Sequence, residues 1–433
     1  MTRILLPLIL LGCPPPEAQA PVLGVDPTVP AAEGESRAGI VVAGAAGEAA
    51  LFGGVGAEGR SGDIKLYNHR VQVVIQGVRA GNGYVDTPGA IVDLELVRGD
   101  GVLGRDLVED LFLAFDTSRL AYAATVEIVA DGSDGGSAIV RSVGSDVPWG
   151  FLQGLLERAE PVVGELNLDI VTTYELPPDS YTLSIVTTLT NRGEAAISFT
   201  PQAGTFASAE DLAPWSPGTG FDDSDTLDAV VYTGRQGEAT FSTWATGGLS
   251  TSALAALIGD LGMFLADHPR VELAPGASAT LMRTLAITPD TATAEGLRRA
   301  ALGESLATVS GTVRSGGAGV AGVRVHLVDA SGAVAGFATS AADGSWSAAL
   351  PPGAWTAYAV ASASDELVPL PAGAGRFGPF AAESVNQAQL EALGGTGEAS
   401  ALPWAGGRET PPPTEFTLPA EGSSRPTATF SSV

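Results

Sequence analysis

Tyr181-Thr-Leu-Ser-Ile-Val-Thr-Thr-Leu-Thr190 decides the fold class of this chain. Successive side chains of a strand point to opposite faces, so Tyr181, Leu183, Ile185, Thr187 and Leu189 share one side and mostly Thr and Ser share the other. That is a half-buried β-strand. Asn191-Arg-Gly193 then supplies turn chemistry before a second extended run, Ala195 to Phe199. Outward from this stretch the pattern repeats: Val71 to Gln76, Ala90 to Val97 and Val126 to Ala130 are apolar or alternating, and Asp131-Gly-Ser-Asp-Gly-Gly136 turns the last of these into Ala138 to Val143. Residues 39–290 are therefore expected to form one large antiparallel β domain. Leu254, Leu257, Ile258 and Leu261 recur at helical spacing and predict a helix over about Ser252 to Ala266.

A second unit follows. Thr291 to Ser305 reads as a helix inside a connector, residues 291–308. Val309-Ser-Gly-Thr-Val313, Val323 to Val328, Phe337 to Ser340, Gly344 to Ala349 and Ala354 to Ala361 then read as short strands. Asp343-Gly344 and Pro351-Pro-Gly353 turn between them, so 309–363 is expected to be a small β-sandwich. Beyond it the periodicity decays, and 364–433 reads as irregular and partly disordered, with a helix signal only over Glu383 to Leu393. The fold class is all-β with few helices.

Composition agrees. Hydrophobic residues make up 45% of 433 and charged residues 16%, which excludes a globally disordered chain, while 56 Gly and 29 Pro supply turns. A formal net charge of −27 repels a phosphate backbone and argues against nucleic acid as a partner. The first residues carry a short basic start, Thr2-Arg3, an apolar run Ile4 to Leu11, then Gly12-Cys13. Spanning a bilayer takes ~20 apolar residues, so this run reads as the core of a signal peptide, residues 1–12. Leu10-Leu11-Gly12-Cys13 resembles the bacterial lipobox, which implies cleavage before Cys13 and acylation of its thiol. Cys13 is the sole cysteine, so no disulfide forms within the chain. Residues 13–38, rich in Pro, Ala and Glu, are expected to be a flexible tether. These features together lead us to expect an exported protein, lipid-anchored to a bacterial membrane, most readily the outer membrane at its periplasmic or surface face.

Two further resemblances rest on quoted residues. Val309-Ser-Gly-Thr-Val313, Val323-Arg-Val-His-Leu327, Asp343-Gly344 before Trp346, and Pro352-Gly353 before Trp355 and Tyr358 resemble the carboxypeptidase regulatory-like, transthyretin-type domain. Gly62 to Ile75, Val126 to Gly132 and Tyr174 to Asn191 resemble, more loosely, the N-terminal β-sandwich part of secreted carbaryl-hydrolase-like metallohydrolases of the PHP superfamily, and the last stretch also resembles galactose-mutarotase-like supersandwiches. The resemblance implies a large supersandwich followed by a small transthyretin- or Ig-like sandwich, without the metallohydrolases' catalytic domain.

The residues themselves offer no catalytic constellation. Catalytic zinc, iron or manganese sites commonly need two or more His with carboxylates, and the three here, His69, His268 and His326, are scattered. No cofactor is expected. Asp222-Asp223-Ser-Asp225 is a weak Ca²⁺ candidate, and Asp131 with Asp134 a weaker one. Trp149 and Trp215 lie in Pro-flanked loops and are candidates to stack on a sugar ring. The expected function is a non-catalytic envelope lipoprotein that binds or scaffolds, its partners being the membrane and an envelope polysaccharide or protein. The alternatives are the front part of a truncated or split metallohydrolase and a purely structural spacer.

Overall fold

The computed structural model describes residues 24–52, 57–81, 85, 87–97, 106, 108, 110–150, 164–206, 212–218, 226–234, 239–251, 263–315, 318–361, 414–418 and 427–431. The protein is all-β, a large antiparallel sheet system followed by a small sandwich. Among the described residues the helices are Ala45–Glu48 and Thr291–Ala301.

The large unit is a 17-stranded antiparallel network. Its central strip runs through Ala138–Pro148, Leu168–Leu176, Thr182–Asn191 and Ser278–Thr288, each hydrogen-bonded to the next. Alternation is strict where the sequence alternates: Leu183, Ile185, Thr187 and Leu189 are buried, as are Leu168, Ile170, Thr172, Tyr174 and Leu176 on the neighbouring strand. Opposite this strip, Ile64–Asn68, Val71–Ile75 and Ile91–Leu96 contribute Leu66, Val73, Ile75 and Leu94 to the same core. Each such side chain contributes about 1.5–3 kcal/mol on leaving water.

Three sequence expectations are corrected here. Ile197–Phe199 does not fold back on Thr182–Asn191; it pairs with Val271–Leu273, while Thr182–Asn191 pairs with Ser278–Thr288, because the long apolar strand finds a longer partner far along the chain. The end of the expected helix at 252–266 is instead strand Met263–Asp267, whose Met263 and Leu265 point inward and whose backbone pairs with Pro201–Phe206; the rest of that span lies outside the described residues. The tether is shorter than 13–38. Ser36–Ile40 pairs with Ile64–Asn68, and Tyr67 Oη donates to the carbonyls of Val29 and Asp26, at 2.7 and 3.2 Å.

In the small unit, Ala307–Ser315 and Ser345–Leu350 form one layer, and Val334–Thr339, Val323–Asp329 and Gly353–Ala361 the other. Val309, Val325, Leu327, Trp346 and Leu350 fill the space between. The C-terminal region adds two strands, Thr414–Leu418 antiparallel to Gly353–Ala361 and Thr427–Ser431 parallel to Ala307–Ser315. Both continue sheets whose edges the small sandwich leaves open, which is why local sequence alone does not mark them. The expected helix at 383–393 lies outside the described residues.

Helix Thr291–Ala301 packs between the units. Its cap, Asp290, is buried and accepts from Thr293 N and from Thr339 N of the small sandwich, both at 2.8 Å. Thr291 Oγ1 accepts from Phe337 N at 2.8 Å, and Gly218 and Val334 form an antiparallel bridge between the units.

Candidate functional site

The central strip is not apolar throughout. Its inner face carries a polar row, Ser142, Thr172 and Thr187 in mutual register, with Thr172 Oγ1 and Thr187 Oγ1 3.0 Å apart. The next row holds Val140, Tyr174, Ile185 and Arg283, again in register. Residues 87–91 and strands Asp110–Phe115 and Arg119–Ala130 stand over these rows and enclose a cavity. About 30 Å³ is open to the centre of a water-sized sphere, and about 500 Å³ is enclosed when the open mouth is included. Its polar lining is Thr87, Tyr122, Ser142, Thr172, Tyr174 and Arg283; among the described residues no carboxylate, histidine or cysteine lines it.

Two glycines permit this close approach. Gly89 sits at φ +88°, and a Cβ there would lie 3.0 Å from the Cβ atoms of Ala123 and Ser142; one on Gly144 would lie 1.9 Å from the Tyr122 carbonyl. The Gly89 carbonyl in turn accepts from Tyr174 Oη, which holds the loop against the strip.

Electrostatically the site is unusual. Arg283 is buried, 9% exposed, between the inward-facing Leu281 and Leu285. Burial lowers its tendency to hold charge, and Tyr174 opposes that. Burial also pushes Tyr174 up to about 12. His268, 3% exposed, is driven down to about 3 by burial and by the Arg283 charge, so it is neutral at pH 7. Thr87 Oγ1 and Arg283 Nε are both buried without a hydrogen-bond partner. Sequence reading did not single out Arg283. Its signal was present: in Leu281-Met-Arg-Thr-Leu285 a cation occupies the same strand parity as two leucines.

The expected stacking pair does not form. Trp149 is 1% exposed, packed edge-on against Phe112 at 5.2 Å, and Trp215 is 3% exposed in a different cluster with Val231, Trp244 and Val334. Neither sits in a free loop: Trp215 ends strand Leu212–Trp215, paired with Val230–Gly234, and Trp149 directly follows strand Ala138–Pro148 with its amide bonded to the Ser118 carbonyl, so each indole packs into a core cluster. Asp222, Asp223, Asp225 and Cys13 lie outside the described residues. Asp131 and Asp134 spend an oxygen each on their own turn, accepting from Ser133 N and Gly136 N. His69 Nδ1 lies 3.0 Å from Asp179, and His326 stacks on Phe337, far apart in sequence and in different units. Among the described residues no group of His, Cys, Asp or Glu is arranged to hold a metal.

A second titratable cluster gathers around Asp63 and Asp93. Asp63 accepts from Arg79 Nε and Nη2 at 2.9 and 2.8 Å, while Asp93 accepts from the amides of Glu58 and Gly59 at 2.7 and 3.0 Å. Burial, with Asp63 and Glu58 nearby, pushes Asp93 up to about 7.

No protein-family model and no curated protein matches the chain. Among solved structures it is similar to a TPR-domain containing protein from Parabacteroides distasonis, at 12% identity over 52% of this chain and 47% of that one, TM-score 0.35. It is also similar to a protein from Synechocystis, at 9% identity over 54% and 97%, TM-score 0.32, and to a GH36 α-galactosidase from Geobacillus stearothermophilus, at 10% identity over 55% and 42%, TM-score 0.35. The chain thus spans less than half of the first and third of these proteins. Likenesses at these TM-scores carry no argument about activity.

Proposed function

We propose that this chain is an exported, lipid-anchored envelope protein that binds carbohydrate without transforming it, using the cavity on the inner face of the large sheet. One observation carries the reading: the cavity gathers three aliphatic hydroxyls, two phenols and a guanidinium, with no carboxylate or histidine among its described lining residues. Threonine, serine and tyrosine hydroxyls both donate and accept, which suits them to sugar hydroxyls, and the walls from Ile91, Leu111 and Phe112 suit the apolar face of a pyranose ring. The lipobox-like Leu10-Leu11-Gly12-Cys13 supports membrane attachment through Cys13.

The test is a glycan array probed with the purified chain, followed by chromatography of every bound sugar after prolonged incubation. The expected result is saturable binding with the sugar recovered unchanged. Turnover of a bound sugar would replace this reading with an enzymatic one.

A further inference from the structure

We infer that the cavity takes a carboxylate-bearing sugar and that the Arg283 guanidinium receives the carboxylate. The inference rests on the reading of the cavity as a carbohydrate site and narrows it to acidic sugars.

Arg283 is the reason. A guanidinium stays charged at every accessible pH, so it cannot escape burial by losing a proton as a lysine can. Burying it without a counter-ion is costly. Two other buried arginines have carboxylate partners, Arg119 with Asp146 and Arg298 with Glu295 at 2.8 Å, and a third, Arg324, lies over the Phe337 ring. Among the described residues no Asp or Glu pairs with Arg283, its Nε is orphaned, and the ionisable groups coupled to it, Tyr174 and His268, are neutral at pH 7. The structure therefore holds a positive charge at the wall of a cavity with no counter-charge among the described residues.

The space beside it fits a carboxylate. A water needs ~10–15 Å³, so the cavity's about 30 Å³ takes two or three water-sized groups, the size of a carboxylate head, and the ring would lie where the cavity opens to solvent. Arginine meets a carboxylate through two parallel N–H donors, and the unpartnered Thr87 hydroxyl on the same cavity can donate to a further ligand oxygen. The net charge of −27 repels extended polyanions at long range. The ligand is accordingly a single acidic sugar or a chain end bearing one carboxylate.

The experiment titrates the full-length protein with glucuronate, glucose and acetate by calorimetry. Glucuronate is expected to bind at least about tenfold more tightly than glucose, with acetate competing. Arg283→Met should remove the preference for glucuronate while leaving the ligand-free protein at least as resistant to heat as the parent, and Thr87→Val should weaken glucuronate binding. Equal affinity for glucuronate and glucose overturns the role of Arg283 and leaves the carbohydrate reading standing. Acetate binding with neither sugar bound establishes the arginine–carboxylate contact and overturns the carbohydrate reading. Binding of none of the three overturns both. A steep loss of thermal resistance in Arg283→Met identifies a structural arginine and overturns the inference; should that variant not fold, the glucuronate-to-glucose ratio of the parent and the Thr87→Val response still decide it.

Discussion

Asp93 and His268 pull the pH dependence of stability in opposite directions. Asp93 has a folded-state pKa of about 7, raised from 3.8, so the folded protein holds a proton that the unfolded chain gives up. Its contribution to stability is greatest at low pH and declines as pH rises from about 4 to 7. His268 has a folded value of about 3, depressed from 6.5, so the unfolded chain binds the extra proton, and stability from this group is full above pH 6.5 and lost as pH falls toward 3. Urea unfolding of Asp93→Asn across pH 4–8 should show a stability difference from the parent that shifts in the variant's favour as pH rises. A difference that is flat with pH would contradict the burial of an ionisable carboxyl there. The tryptophans give a second residue-scale outcome. Trp215→Ala is expected to cost about 3–5 kcal/mol in urea unfolding, as for other buried aromatics, while leaving sugar affinity in the folded fraction unchanged. A Trp215→Ala protein of parental stability would place the indole in solvent. The prolines beside Trp149 and Trp215 read as loop signals, whereas Trp215 ends a strand and Trp149 directly follows one, and proline does not tell which face the indole takes, so their burial was not legible in sequence. Arg283 was legible, because strand parity sets it in line with Leu281 and Leu285.

Strands follow their alternation closely, since side-chain parity is a local property. Val323–Asp329, Ser345–Leu350 and Gly353–Ala361 fall where Val, Trp and Ala alternate between turn residues. Partner choice is not local: Thr182–Asn191 joins Ser278–Thr288 from far along the chain, and side by side their inner faces carry Leu183, Ile185 and Leu285 into one core. The helix at 291–301 shows the same division. Its existence was readable from Ala-Glu-Gly-Leu-Arg-Arg-Ala-Ala, although it ends at Ala301 and not at Ser305, and the second hydrogen bond of its cap, from Thr339, depends on a sandwich that follows it in the chain. Asp290→Ala removes the cap, worth about 0.5–2 kcal/mol. It also orphans the Thr339 amide, at about 1–3 kcal/mol more. Differential scanning calorimetry of this variant is expected to resolve two transitions where the parent shows more closely coupled melting of the two units. A single unchanged transition would mean that the clasp at Asp290 does not couple them.

For the whole molecule, an acidic surface, an anchoring cysteine and a cavity in a rigid sheet form one proposal: a sugar-binding unit held at a membrane. Cys13→Ser should move the protein from the detergent phase to the aqueous phase in Triton X-114 partitioning while its circular dichroism stays that of the parent, because on this proposal a lipid on Cys13 is the anchor and the described strands begin further along. Parent and variant partitioning alike would remove the lipid anchor from the proposal. The claim on which the rest depends is that the inner-face cavity is the ligand site. A crystal structure of the protein grown with saturating glucuronate tests it most directly. The expected result is a sugar in the cavity with its carboxylate on Arg283 and its ring against Phe112; a sugar ordered on another surface, with the cavity unoccupied, would contradict it.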